Sequence, residues 1–195
     1  MNLEYNLKTE IIRKLIHLSI AFSPLMASVN RLFTLVFLAA GSLLYTLFEL
    51  LRLQGGRIPL VSELTNMASR PKDIGRFVSG PLTLGMGAFF SLLLFELPIA
   101  SVAIFALAFG DGLAGLAGRL FGRLRPRFLF GKSIEGSLTC FVVVLISSYL
   151  VLHDLRLALY SALTAMIVES LPLGNFDNII MPLAVASVLE LIPKL

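Results

Sequence analysis

Charge is scarce in this sequence. Only 14% of its 195 residues are Asp, Glu, Lys or Arg, against 57% hydrophobic, and the mean hydropathy is +0.89. That excludes an ordinary soluble domain. A single cysteine, Cys140, excludes an intrachain disulfide; it lies in an apolar run, where packing is its expected role. No His/Cys cluster has zinc spacing, and neither a Walker P-loop nor a Ser-His-Asp arrangement is readable. There is no long repeat and no low-complexity tract. No small-residue cleavage site follows the first apolar run, which therefore reads as a retained span and not as a cleaved signal. The net charge of +4 does not point to nucleic acid, because its placement has another explanation.

What the chain does have is long apolar runs. A spanning helix needs about 20 mostly apolar residues, and the runs predict an all-α, multi-span transmembrane helical bundle of about seven spans. Residues 1–195 then form a single integral membrane domain. The expected spans are Ile11–Val29, Leu32–Leu51, Gly80–Phe95, Ile99–Gly118, Ser133–Leu152, Leu155–Leu171 and Asn178–Ile192. Residues 1–10 are polar and are expected along the membrane surface. The loop Leu53–Ser79 has room for one short surface helix; whether it covers a site as a lid stays open. With the N-terminus cytoplasmic, 13 of the 16 Lys and Arg fall on the inner side, and only Arg31, Arg156 and Lys194 fall outside. Such asymmetry sets orientation by the positive-inside rule.

The acids carry more information, because that rule says little about them. Glu49, Asp111, Glu135, Glu169 and Asp177 fall at the cytoplasmic ends of five different spans. A carboxylate within a span costs roughly 2.5–3.5 kcal/mol on insertion scales and tends to face a partner or a wet cavity. Acids gathered at one depth predict one site. Its centre is the stretch Ala108–Leu138, which combines Asp111, a glycine-rich turn or helix end, a basic loop and Lys132-Ser133-Ile134-Glu135-Gly136-Ser137.

Each feature has two readings. Gly110, Gly112, Gly115 and Gly118 allow close helix packing or the approach of a phosphate to the backbone; Asp111 is a cap or a Mg²⁺ ligand. Lys132 and Glu135 form an interfacial salt bridge or line a cleft, where Ser133 and Ser137 add hydroxyls and the helix start favours an anion. Arg119, Arg123, Arg125 and Arg127 signal orientation, with one or two free to clamp phosphate. Glu169, Asp177 and Asn178 make a second acidic corner. Glu49 and Arg52, one helical turn apart, neutralise each other or serve a substrate. Arg13 and Lys14 read as membrane anchors, and His17 as a structural hydrogen-bonder.

Taken in order, Arg13-Lys14-x-x-His17, Glu49-x-x-Arg52, FGDGLAGLAGRLFG from Phe109, GKSIEGSL from Gly131 and VESLPLGNFDNIIMPL from Val168 resemble the CTP-dependent polyprenol and lipid kinase family. That family includes dolichol kinase, phytol kinase and CTP-dependent diacylglycerol kinase. The resemblance covers nearly the whole chain. It implies transfer of the γ-phosphoryl group of CTP to the hydroxyl of a membrane lipid alcohol, with Mg²⁺, at a site facing the cytoplasm from a bacterial inner membrane or an ER-type membrane. CTP, a lipid alcohol and the bilayer are then the expected partners, with no nucleic acid and an open oligomeric state. Asp111 and Asp177 would hold the metal, and Glu169 would assist or act as base. Lys132 and Arg119 would contact phosphates, with Gly110, Gly112, Ser133, Glu135, Gly136 and Ser137 lining the nucleotide pocket. Arg76, Arg52, Glu49, His17 and Asn178 are weaker candidates. The middle of the chain is also similar to CDP-diacylglycerol synthase, a cytidylyltransferase, whose usual C-terminal signature is missing here. A transporter is the third reading, although transporter sites usually lie near the midplane.

Overall fold

A computed structural model of the chain describes residues 3–56 and 75–192. All regular structure among them is helical. Helix α1 (Leu3–Ser19) tightens through a 3₁₀ turn, Ile20–Phe22, into α2 (Ser23–Val29). The change falls just before Pro24, whose missing N–H breaks the regular ladder. Helix α3 (Arg31–Leu53) starts at Asn30, whose side chain accepts from Phe33 N at 2.9 Å. Next come α4 (Gly80–Leu94), α5 (Leu97–Phe105), a π-helical turn at Ala106–Asp111 and α6 (Gly112–Leu120). Helix α7 (Ile134–Leu152) is capped by the Ser133 hydroxyl, which accepts from Gly136 N at 3.1 Å. Helix α8 (Leu155–Ser170) is capped by Asp154, which accepts from Arg156 N at 2.7 Å, and α9 (Asp177–Leu191) closes the bundle.

These helices make seven rods close to the bounds that hydropathy predicts, because α1–α2 and α5–α6 each run on as one. Among the described residues, four stretches are long and apolar enough to cross a membrane: Thr9–Val29, Arg31–Leu53, Leu97–Leu120 and Ile134–Leu152. Helices α4, α8 and α9 have 15, 16 and 15 residues. At about 1.5 Å per residue they fall short of a hydrocarbon core about 30 Å thick.

The rod Leu97–Leu120 is the axis of the bundle: 72% of its apolar window is buried, against 17% for α3 and 28% for α7. One core cluster sets its Ile99, Val102, Ala103, Ala106 and Ala114 against Cys140 and Val144 of α7, Ala162 and Ala165 of α8, and Met181 and Val185 of α9. A second sets Ala100 and Ile104 against Ala27, Leu38, Ala88 and Leu92. Alanines dominate both, and small side chains let helices approach where van der Waals packing is the chief attraction. The outer faces are apolar as well. Leu32, Phe33, Val36, Phe37 and Leu43 of α3, and Leu138, Val142, Ile146 and Leu150 of α7, are exposed, as a lipid-facing surface requires. Arg31, one of the few cations expected outside, donates from Nη2 to the carbonyls of Leu92 and Phe95. A cation there complements the exposed carbonyls at the end of α4.

One expectation changes, one is narrowed and one lies outside the described residues. The polar N-terminus is not a separate surface segment, because residues 3–19 are one helix and Thr9 and Glu10 are already buried in it. Of the two readings of the glycine-rich stretch after Asp111, a turn or a helix end, the structure has the second: it stays helical to the end of α6 at Leu120. Packing overrides the weak helix propensity of glycine, since a Cβ at Gly110 would lie 2.8 Å from Val144 Cγ2 and one at Gly136 would lie 2.9 Å from the carbonyl of Ala114. The surface helix and lid considered for the Leu53–Ser79 loop fall within residues 57–74, outside the described residues.

Candidate active site

The end of the bundle where α6 and α8 stop and α7 and α9 begin holds a cavity of about 420 Å³. Helix α1 contributes to its lining. Glu10, Lys14 and His17 occur at helical spacing on one face of α1, and all three are buried. Lys14 Nζ donates to Asp111 Oδ2 at 2.9 Å and to the Asp111 carbonyl at 2.9 Å. His17 Nε2 donates to the carbonyl of Leu107 at 2.9 Å and lies 3.3 Å from Asp111 Oδ2. A carbonyl can only accept, so this nitrogen carries the proton. The π turn explains the arrangement: it departs from the regular i→i−4 ladder between Ala106 and Asp111 and presents its carbonyls and carboxylate to a neighbouring helix. Such turns are frequent at functional sites.

Lys14 therefore belongs to the cavity and is not a surface anchor. Its access depends on Gly115, where a Cβ would stand 2.6 Å from Lys14 Cε and 2.8 Å from Nζ. Gly115→Ala is expected to push the ammonium off Asp111. It should lower the unfolding temperature, which thermal unfolding of the variant beside the wild type checks.

The rest of the lining comes from the loop before α7 and from α7 to α9. Lys132 Nζ pairs with Glu169 Oε1 at 3.1 Å and also donates to the Glu169 carbonyl. Ser137 Oγ donates to Glu169 Oε2 at 3.1 Å. Both oxygens of this buried carboxylate are thus engaged. At the rim, Glu10 Oε2 lies 3.2 Å from Arg13 Nη1 and 3.8 Å from Arg119 Nη2. Arg125 donates to the carbonyls of Gly131 and Gly118 at 2.7 and 2.6 Å. Asp177 makes no ion pair among the described residues, and Asn178 beside it donates to Thr83 Oγ1 at 2.9 Å.

Of the five acids expected at one depth, Asp111, Glu169 and Asp177 line the cavity, together with Lys132, Arg119, Ser133, Gly136, His17 and Asn178. Ser137 reaches it through Glu169. Gly110 packs on Val144 and Cys140, and Gly112 on Leu18. Glu135 is turned to the basic loop, where Oε1 accepts from Arg123 N at 2.9 Å and Leu124 N at 3.2 Å. Glu49 is fully buried away from the cavity, held by Arg52 through two hydrogen bonds of 2.7 Å and by Val78 N at 2.8 Å. Arg76 is exposed, and its carbonyl accepts from Arg52 Nη2 at 3.0 Å. Glu49 and Arg52 thus staple the end of α3 to the entry of α4. Sequence reasoning missed Lys14, Glu10 and Arg13 as cavity residues. The available signal was the repeat of charge at positions 10, 14 and 17 inside a candidate span.

Relatives of the chain include named enzymes. It is 33% identical over 144 residues to the CTP-dependent diacylglycerol kinase 1 of Eremothecium gossypii, an alignment covering 72% of this chain and 45% of that protein. It is 35% identical over 146 residues to the phytol kinase of Synechocystis, covering 67% of this chain and 58% of that one. The chain belongs to the CTP-dependent lipid kinase family. It spans about half the length of these named kinases. An uncharacterized protein of Methanocaldococcus jannaschii matches at 29% identity over 189 residues, 93% of each chain. No family model matches, and no solved structure does.

The donor chemistry fits a hard cation. Among the described residues no cluster of three or more His, Cys, Asp or Glu converges as a metal cage. Lys14 occupies Oδ2 of Asp111 and leaves Oδ1 without a hydrogen-bond donor among the described residues, and Asp177 is a second carboxylate in the same lining. One or two carboxylates completed by phosphate oxygens is how Mg²⁺ is usually held with a nucleotide.

Proposed function

We propose that this protein is a CTP-dependent lipid kinase that transfers the γ-phosphoryl group of CTP to the hydroxyl of a membrane lipid alcohol. The observation that carries this reading is the convergence of Lys14, Asp111, Glu169 and Asp177, from four helical elements, and of Lys132, from the loop before α7, on one cavity at one end of an apolar bundle. The names of the relatives support the donor and the acceptor class. In the full proposal all seven rods are inserted, with the bilayer locally thinned around the short ones. The N-terminus and the cavity then face the cytoplasm, as the distribution of Lys and Arg favours.

The charge balance of the cavity favours a metal-bound nucleotide. Five cations (Arg13, Lys14, Arg119, Arg125 and Lys132) face four acids (Glu10, Asp111, Glu169 and Asp177). Most are already paired, so a bare triphosphate would meet little net positive charge. Mg²⁺, held by Asp177 and the free oxygen of Asp111, supplies neutralisation of phosphate oxygens when bound. Arg119 and Lys132 contact the phosphates, with Ser133 and Gly136 in the same lining. The lipid hydroxyl oxygen attacks the γ-phosphorus, the bond from that phosphorus to the bridging oxygen breaks, and CDP leaves with the electron pair. The hydroxyl proton passes to Glu169, whose placement between Lys132 and Ser137 orients it. Little covalent chemistry is asked of the protein; positioning and charge stabilisation supply the rate.

The test is purified protein in detergent with Mg²⁺ and γ-labelled CTP, offered diacylglycerol, phytol and polyprenol in parallel. The expected result is label on one of these lipids, lost in Asp111→Asn. Unlabelled lipids, with labelled pyrophosphate released from CTP and phosphatidate, would replace this reading by a cytidylyltransferase.

A further inference from the structure

The first turn of α9 is tied to the first turn of α4 in a way that neither helix needs for its own stability. Asn178 is buried, and its Nδ2 donates to Thr83 Oγ1 at 2.9 Å and to the Gly80 carbonyl at 3.3 Å. Asn175 Nδ2 donates to Ser79 Oγ at 2.9 Å. Inside α9 stands Pro182, fully buried. It has no N–H to give to the residue four before it, which is Asn178, so the carbonyl of Asn178 is released from the helix ladder. That carbonyl lies against Gly87 of α4, where a Cβ would fall on its oxygen. A freed carbonyl on a glycine at a close helix crossing is the setting for a Cα–H···O contact.

We propose that Asn178, Pro182 and Gly87 are positioning residues that set where Asp177 stands in the cavity. The idea rests on the reading of Asp177 as a Mg²⁺ ligand. Asp177 is the residue next to Asn178, and its own carboxylate makes no ion pair among the described residues, so its place comes from the backbone that carries it. The amide of Asn178 fixes that backbone from one side and the Gly87 crossing from another. The resulting geometry presents one carboxylate from α9 opposite Asp111 of the π turn, across a gap that α4 does not itself line.

The experiment reads metal binding and not turnover. Wild-type protein in detergent is unfolded thermally at fixed CDP and increasing Mg²⁺. The Mg²⁺ concentration that gives half the stabilisation reports apparent affinity, because a ligand of the folded state raises its stability. Asn178→Ala, Gly87→Ala and the nearly isosteric Thr83→Val are compared with Asp177→Asn. Gly41→Ala, at a site with no atom within 4 Å of the added methyl, is the control for the change of residue type. The expected result is a half-effect concentration raised about 10- to 100-fold in the three positioning variants, the range for loss of supporting contacts to metal ligands, with Gly41→Ala unchanged. Thr83→Val retains the packing, so its shift is read even if Gly87→Ala fails to fold. A half-effect concentration equal to wild type in Asn178→Ala and Thr83→Val, with binding lost in Asp177→Asn, overturns the positioning proposal alone. Wild-type behaviour in Asp177→Asn, or no Mg²⁺ effect in the wild type, overturns the reading of Asp177 on which it rests.

Discussion

Lys14→Met is expected to destabilise the protein by about 3–5 kcal/mol, the usual cost of leaving one member of a buried ion pair without the other. Lys14 and Asp111 are both largely buried, 2.9 Å apart, and removing the ammonium leaves the carboxylate with His17 at 3.3 Å and the charge of Lys132 across the same cavity. Asp111→Asn should cost less, because Lys14 still donates to the main-chain carbonyl of residue 111. Combining Lys14→Met with Asp111→Asn removes both charges and should recover most of the lost stability, since neighbouring sites are strongly non-additive. Activity should follow a different course. All three variants are expected to lose transfer by about 100-fold or more, the scale for removing one well-placed electrostatic group. Thermal unfolding and γ-labelled CTP turnover on the same three preparations separate the two effects. Recovery of activity together with stability in the double variant would reduce the pair to a structural strut.

Glu169→Gln is the second large effect. The carboxylate is held by Lys132 at Oε1 and by Ser137 at Oε2, and glutamine keeps the shape while removing the charge and the ability to take a proton. A base in proton transfer contributes about 10²- to 10⁴-fold. The expectation is a fall in kcat of that size with little change in KM for CTP. The alternative outcome is a rise in KM for CTP with kcat nearly kept, which would show that Glu169 serves to aim Lys132 at phosphate. The proton acceptor would then be sought at Asp177.

Much of the site was legible because its residues interrupt apolar helices. Lys132, Glu169 and Asp177 stand at helix ends and Asp111 inside the rod Leu97–Leu120 of an otherwise apolar chain, and each such interruption costs insertion energy unless a partner or water meets it. The partners were not legible. Glu49 has the same sequence signature as Glu169, an acid closing an apolar run, yet it sits against Arg52 and the backbone of Val78. Glu135 lies between two residues of the pocket, Ser133 and Gly136, and still turns to the amides of the basic loop. Whether an acid faces a cavity or a neighbouring loop depends on its rotation about the helix axis, and packing sets that rotation.

The sequence by itself determined that this is a helical membrane protein, roughly where each rod starts and stops, and which end of the bundle gathers its carboxylates. These follow from hydropathy, capping residues and charge, which act over a few neighbouring residues. Only the tertiary structure decided that Lys14 meets Asp111, 97 residues away. The same holds for the π turn that holds Asp111 out of the regular ladder and for the glycine at 115 that makes room for the lysine. A buried ammonium is stable only beside a particular carboxylate at hydrogen-bond distance, and that proximity is a property of packed helices and not of spacing along the chain.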